Sequence, residues 1–148
     1  MTTEDERYLN IIRMMQRVGK DLLVIRDRNL AEIGITSVQS SAILFIGSNP
    51  RCRITDLGKH MGISHQAARS LVERMCTKGF MCTKVCEDDA RARKITLTKM
   101  GRETESRIRN RGGNVGKGVL TGFSDEDSAS LEEYLDRIRD NIVKKDDH

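Results

Sequence analysis

The sequence predicts a mainly α-helical chain interrupted once, by a two-stranded β-hairpin. Apolar residues recur at helical spacing through most of the 148 residues. Pro50 is the only proline, so long helices meet few breakers. Residues 80–86 and 94–97 read as extended and flank a charged tip, Glu87-Asp88-Asp89-Ala90-Arg91-Ala92-Arg93. The length suits one domain. With 37% hydrophobic residues, 32% charged and no Trp, the core is aliphatic and modest, and helices packed across a dimer would enlarge it.

Each element follows from local chemistry. Residues 4–31 line up Tyr8, Ile11, Ile12, Met15, Val18, Leu22, Leu23 and Leu30 on one helical face. Gly34 breaks that helix. Thr36-Ser37-Val38-Gln39 then reads as a capping box, with Thr36 as N-cap and Gln39 reaching back. The helix it opens carries Ala42, Ile43, Leu44, Phe45 and Ile46 until Gly47, Ser48, Asn49 and Pro50 stop it. Arg53-Ile54 suits a very short strand, and Thr55 suits the cap of a short helix with Leu57 and Met61 inward. Gly62 supplies the left-handed residue that ends this helix. Ile63 plugs the core, and Ser64 caps a further helix over residues 65–78, which Gly79 ends. After the hairpin, Thr98 caps a long helix through about Arg111. Five glycines in residues 112–122 each cost up to about 1 kcal/mol in a helix interior, so this helix is expected to continue but to be kinked or locally loose. Ser124-Asp125-Glu126-Asp127 caps a last helix striped by Leu131, Tyr134 or Leu135, Ile138 and Ile142, with residues 144–148 fraying.

Charge is distributed unevenly. Residues 1–50 carry six Lys and Arg against six Asp and Glu, residues 51–111 fifteen against seven, and residues 112–148 five against nine. A basic middle between neutral and acidic ends suits a surface that meets phosphate. No apolar run reaches the roughly 18 residues of a membrane helix. The start, Met1-Thr2-Thr3-Glu4-Asp5-Glu6, lacks the basic and apolar regions of a signal peptide. A cytoplasmic location with reduced cysteines is therefore expected.

Helix, glycine turn, helix, hairpin and helix, over residues 54–98, is the layout of a winged helix-turn-helix, whose second helix reads the major groove. On the wheel of residues 64–78, Ala68, Leu71, Val72 and Met75 face inward. Gln66, Arg69, Ser70 and Glu73 face outward, flanked by Ala67 and Arg74. The small Ala67 and Ser70 let the helix sit deep in a groove. Gln66 can bond adenine, and Arg69 guanine or a phosphate. Ser64 and the first N–H groups can hold a phosphate at the helix start, with His65 beside them. Arg91 and Arg93 project from the hairpin tip, suited to a narrow minor groove, and Asp89 is placed to brace Arg91 by an ion pair. Each feature also reads as a solvated surface.

Residues 57–103, with LGKHMGISHQAARSLVERMCTKGF followed by DDARARKITLTKMGRE, resemble the MarR family of regulators (multiple antibiotic resistance regulators). Asp89, Arg91, Leu97, Thr98 and Gly101 carry the likeness, and the flanking helices extend it over nearly the whole chain. The resemblance implies a winged lobe over residues 35–111 and dimerisation helices over residues 1–34 and 112–148. It implies a homodimeric repressor, less often an activator, that binds a pseudo-palindromic duplex operator and is relieved by a small anionic or phenolic ligand held between the dimerisation helices and the lobe. It assigns Ser64, Gln66, Ala67, Arg69 and Ser70 to the recognition helix and Asp89 with Arg91 to the wing. Position 90 is Ala where the family often has Arg, with Arg93 as a substitute, and Arg69-Ser70 reverses a common Ser-Arg order.

Other chemistry finds little footing. Some relatives sense oxidants through a cysteine near the first helix, but Cys52, Cys76, Cys82 and Cys86 all lie beyond residue 51. Cys82 and Cys86 on one strand would stand about 13 Å apart at roughly 3.3 Å per residue, too far for a disulfide. His60, His65 and His148 with no Cys-x-x-Cys give no zinc set, and His60 reads as a solvated helix residue. Gly116-Lys117-Gly118 lacks the Ser or Thr of a phosphate loop. No metal, cofactor or enzymatic activity is expected. Two rival readings stay open: a winged-helix protein–protein module without specific DNA binding, and a regulator switched by cysteine oxidation.

Overall fold

The computed structural model describes residues 1–146. Six helices and one hairpin follow in the order α1 (Thr3–Ala31), α2 (Ser37–Ser48), α3 (Ile54–Met61), α4 (His65–Thr77), β1 (Met81–Val85), β2 (Arg93–Leu97), α5 (Lys99–Val119) and α6 (Asp125–Asp146). The chain divides into two compact units, Met1–Arg111 and the remainder from Gly112. None of the described helices is long and apolar enough to cross a membrane.

The first unit owes its helix starts to reciprocal caps. The Thr2 hydroxyl accepts from the Asp5 N–H while Asp5 accepts from the Thr2 N–H. Thr36 and Gln39 do the same for α2. Each pair satisfies two backbone donors that a helix start leaves free. Two expectations need correction here. α2 runs on through Gly47 and Ser48, and the turn falls at Asn49, whose side chain donates to the Phe45 carbonyl. α3 begins at Ile54 rather than after a Thr55 cap, because Asp56 accepts the Arg53 N–H and so fixes position 53 as the cap. The short strand expected at Arg53-Ile54 is reduced to one antiparallel bridge, Arg53 with Lys94.

The core gathers under the hairpin. Ile43, Ile46, Leu57, Val72, Met75, Met81 and Ile95 are its largest fully buried side chains. Apolar burial of this kind contributes roughly 1.5–3 kcal/mol per large side chain. The strands pair antiparallel with Met81 opposite Leu97, Thr83 opposite Ile95 and Val85 opposite Arg93. Met81, Ile95 and Leu97 are buried, so this alternate set faces the core, while Cys82, Lys84, Lys94 and Thr96 lie on the opposite face. Gly79 takes φ 88°, and Phe80 N–H returns to the Met75 carbonyl, which closes α4 and aims the chain into β1. Thr98 caps α5 by accepting the Gly101 N–H, and Arg111 pairs with Glu32 beyond the end of α1. Along α1, however, Ile12, Val18 and Leu23 are about half exposed within this unit.

In the second unit α5 stays helical across Gly112, Gly113, Gly116 and Gly118 and ends at Val119. Gly122 turns the chain at φ 86°. Ser124 and Asp127 exchange hydrogen bonds to open α6. Tyr134, Leu135 and Ile142 are each about half exposed on α6.

Candidate nucleic-acid interface

The turn between α3 and α4 is built by three residues. Gly62 takes φ 66°, and Ile63 N–H bonds the Gly58 carbonyl, which brings Ile63 back against the core. Gly58 sits where α3 meets α4, and a Cβ there would stand 3.4 Å from that of Ala68. Ser64 then caps α4, its hydroxyl accepting the Ala67 N–H at 3.1 Å.

With the helix set this way, Ala68, Leu71, Val72 and Met75 are buried, and they fix which face is left over. The free face carries His65, Gln66, Ala67, Arg69 and Ser70, all exposed, with Ser64 at its head. Arg69 Nε lies 3.8 Å from Glu73 Oε1 one turn on. An exposed pair of this kind contributes only about 0.3–0.5 kcal/mol, so it orients Arg69 without committing it.

The hairpin supplies the second part. Arg93, opposite Val85 on the core-facing side, lines a cleft of about 340 Å³ with Arg69, Glu73 and Thr83. Arg93 thus belongs with α4, whereas Arg91 stands at the tip. The tip is closed by Cys86 N–H bonding the Ala92 carbonyl and Ala92 N–H bonding that of Asp89. The expected Asp89–Arg91 ion pair is not formed among the described residues. Asp89 Oδ1 instead accepts the Arg91 backbone N–H at 2.9 Å, because a side chain two residues back reaches the main chain of a tight turn more readily than the end of an outward-pointing guanidinium. Arg91 is oriented through its backbone and its charge is left exposed.

Two contacts escaped sequence reasoning. Arg53 Nη2 and Asp88 Oδ2 pair at 2.8 Å and fasten the tip to the start of α3. Only the charge pattern hints at it, and the partners lie 35 residues apart. His60 is not merely solvated: its ring stacks on Phe45 with centroids 4.3 Å apart. The thiols are all free. Burial pushes Cys52 and Cys76 above the ordinary thiol range, with nearby Asp56 adding to the effect at Cys52 and Cys82 at Cys76. Cys86 falls just past the end of β1.

A lobe assembled in this way is a winged helix-turn-helix, the class of module that presents one helix to the major groove. Residues 33–92 match the model of the MarR family. The uncharacterized HTH-type transcriptional regulator YybA of Bacillus subtilis is 21% identical over 135 residues, covering 91% of this chain and 90% of YybA. The transcriptional activatory protein BadR of Rhodopseudomonas palustris is 32% identical over 99 residues, covering 64% of this chain and 54% of BadR. Streptococcus pneumoniae FabT, solved in complex with DNA, shares the fold with a TM-score of 0.83 at 20% identity, covering 93% of this chain and 98% of FabT. The chain is thus similar to MarR-family proteins, over residues 33–92 for the family model and over most of its length for YybA and FabT.

Proposed function

We propose that this chain is a DNA-binding transcription regulator of the MarR kind, which binds a pseudo-palindromic duplex operator as a homodimer, represses the genes beside it, and is released by a small ligand. One observation carries the reading of the operator. A single buried helix face leaves Ser64, His65, Gln66, Ala67, Arg69 and Ser70 exposed together, and Arg93 of the wing lines a common cleft with Arg69. Gln66 and Arg69 then read base edges, the Ser64 end holds a phosphate, and Arg91 enters the adjacent minor groove with Asp89 setting its backbone. FabT was crystallised with DNA, which supports carrying that mode of use to a chain of the same fold.

The dimer is supported by each unit taken separately. α1 exposes Ile12, Val18 and Leu23, and α6 exposes Leu135 and Ile142, with Val143 beside it. Apolar surface on helices of this length is normally covered by a partner. Repression and its relief by ligand rest on the family resemblance. BadR is an activator, so a reporter fused to the adjacent promoter decides the sign in this chain.

Fluorescence anisotropy of the chain on duplex DNA from its own upstream region, with a scrambled duplex beside it, tests the operator. Binding at least about 10³-fold tighter on the native duplex at physiological salt is expected, weakened by Arg91→Ala. Equal binding on both that disappears at moderate salt leaves only phosphate attraction and favours the protein–protein module. Sedimentation equilibrium tests the dimer. A monomer at micromolar concentration refutes it.

A further inference from the structure

The outer face of the wing carries a row of like charges. Lys84 on β1 stands directly opposite Lys94 on β2, and Lys94 is bridged on its other side to Arg53. Registered neighbours in antiparallel pairing point to one face with Cβ atoms about 4.5–5.5 Å apart, and like charges so placed destabilise a sheet. Thr83 and Ile95, the next pair along, face the core, so the row Arg53, Lys94, Lys84 faces away from α4. Among the described residues neither lysine has a carboxylate within ion-pair distance, and only Arg53 is paired, with Asp88. The row floors an open cleft of about 590 Å³ in which Arg51 adds a fourth cation, against Glu87 and Asp88. An arrangement that costs stability in the free protein points to an anion that relieves it.

We propose that Arg53, Lys94 and Lys84 form a second phosphate-binding row that grips the DNA backbone bordering the groove entered by the wing tip. The proposal rests on the operator reading above. A hairpin in a minor groove about 6 Å wide has a phosphate backbone beside each of its faces. Arg93 and Arg69 serve the face toward α4, and the row serves the other. Phosphate contacts carry no sequence information, so the row sets affinity and register while α4 sets the sequence. Asp88 holds Arg53 until a phosphate displaces it.

The salt dependence of binding measures the number of phosphates held, with log K falling by about 0.9 per contact for each decade of salt. Lys84→Gln with Lys94→Gln, present in both protomers of the proposed dimer, should lower that slope by about 3.6 (about 1.8 per protomer) and weaken native and scrambled duplexes equally. Lys84→Gln alone, at an exposed site, should lower it by about 1.8 per dimer, and Lys117→Gln should leave it unchanged. Thermal unfolding of the lysine variants should show no loss, because repulsion is relieved. An unchanged slope on a wild-type protein that binds its operator overturns the row and leaves the operator reading standing. Stabilisation by inorganic phosphate that disappears in the double variant, with the DNA slope unchanged, makes the row a free-anion site and also overturns it. Absence of binding to any duplex at any salt overturns both readings.

Discussion

The carbonyl oxygen of Phe80 fills the space that a side chain at position 101 would need. The wing begins at Phe80 and returns at Leu97, and Thr98 N–H bonds that same carbonyl while its hydroxyl caps α5. Gly101 therefore lets the first turn of α5 lie against the base of the wing. Both colliding groups are backbone, so neither can swing aside. Gly101→Ala should destabilise the chain by about 1–3 kcal/mol, as overpacking does, although alanine favours helix. Urea unfolding at fixed protein concentration measures this. A midpoint equal to wild type would show that the junction yields.

Ser64 is given two duties, and two substitutions separate them. Its hydroxyl caps α4 through the Ala67 N–H, and the same helix end is proposed to meet a phosphate. Ser64→Ala should cost about 1 kcal/mol of stability through the lost cap. Ser64→Asp keeps a cap acceptor and adds a charge that a helix start favours, so stability should hold while operator affinity falls by tenfold or more. If Ser64→Asp binds DNA as well as wild type, the start of α4 does not face phosphate.

How much of this was legible in the sequence depends on the range of each interaction. The caps at Thr36, Ser64 and Thr98 were readable because partner and acceptor lie three residues apart. The inward face of α4 was readable because four apolar residues repeat at helical spacing. The start of α3 was misplaced because Thr55 looks like a better cap than Arg53, and only the Asp56 carboxylate reaching back decides the matter. The Arg53–Asp88 pair and the Lys84–Lys94–Arg53 row depend on strand register, which a charged tip of ambiguous length does not fix. The residues of the proposed base contacts follow from the wheel; which base each meets does not.

Asp88 offers a gain-of-affinity test. It ties up Arg53 at 2.8 Å and lines the same cleft as the lysine row. Asp88→Asn removes a charge repelled by phosphate and releases a cation. Operator binding should tighten by about three- to tenfold at low salt, with the salt slope unchanged because Arg53 already meets a phosphate in the wild-type complex, and with stability changed by less than about 1 kcal/mol because the pair is largely exposed. Weaker binding would mean that the pair shapes the wing tip for DNA.

The thiols make the oxidation reading testable. Burial raises Cys52 and Cys76 above the ordinary thiol value of 9.0, so both are held protonated at neutral pH and are poor nucleophiles. Alkylation by iodoacetamide at pH 7.5 should reach exposed Cys82 well before buried Cys52. Folding stability has a matching dependence. A raised thiol binds its proton more tightly folded than unfolded, so the contribution is whole below about pH 9 and declines as pH rises through the folded values. Loss of operator binding under mild peroxide, restored by reductant and absent in a Cys→Ser variant, would reinstate the oxidation switch.

The glycines of α5 separate the free chain from its proposed dimer. Gly112 and Gly113 lie inside the helix, and a Cβ at either meets nothing within 4 Å. Nothing among the described residues of the single chain requires glycine there, and each lowers helix stability by roughly 0.5–1 kcal/mol relative to alanine. Gly112→Ala and Gly113→Ala should therefore each raise stability by about that amount, read from urea midpoints at one protein concentration, since a dimer's stability depends on concentration. Destabilisation instead, together with a weaker dimer in sedimentation, would mean that a second copy brings its backbone against these positions. Stabilisation with a weaker operator complex would mean that binding uses the local looseness the glycines provide. Unchanged DNA binding in a stabilised variant leaves the glycines without a role in the grip on DNA.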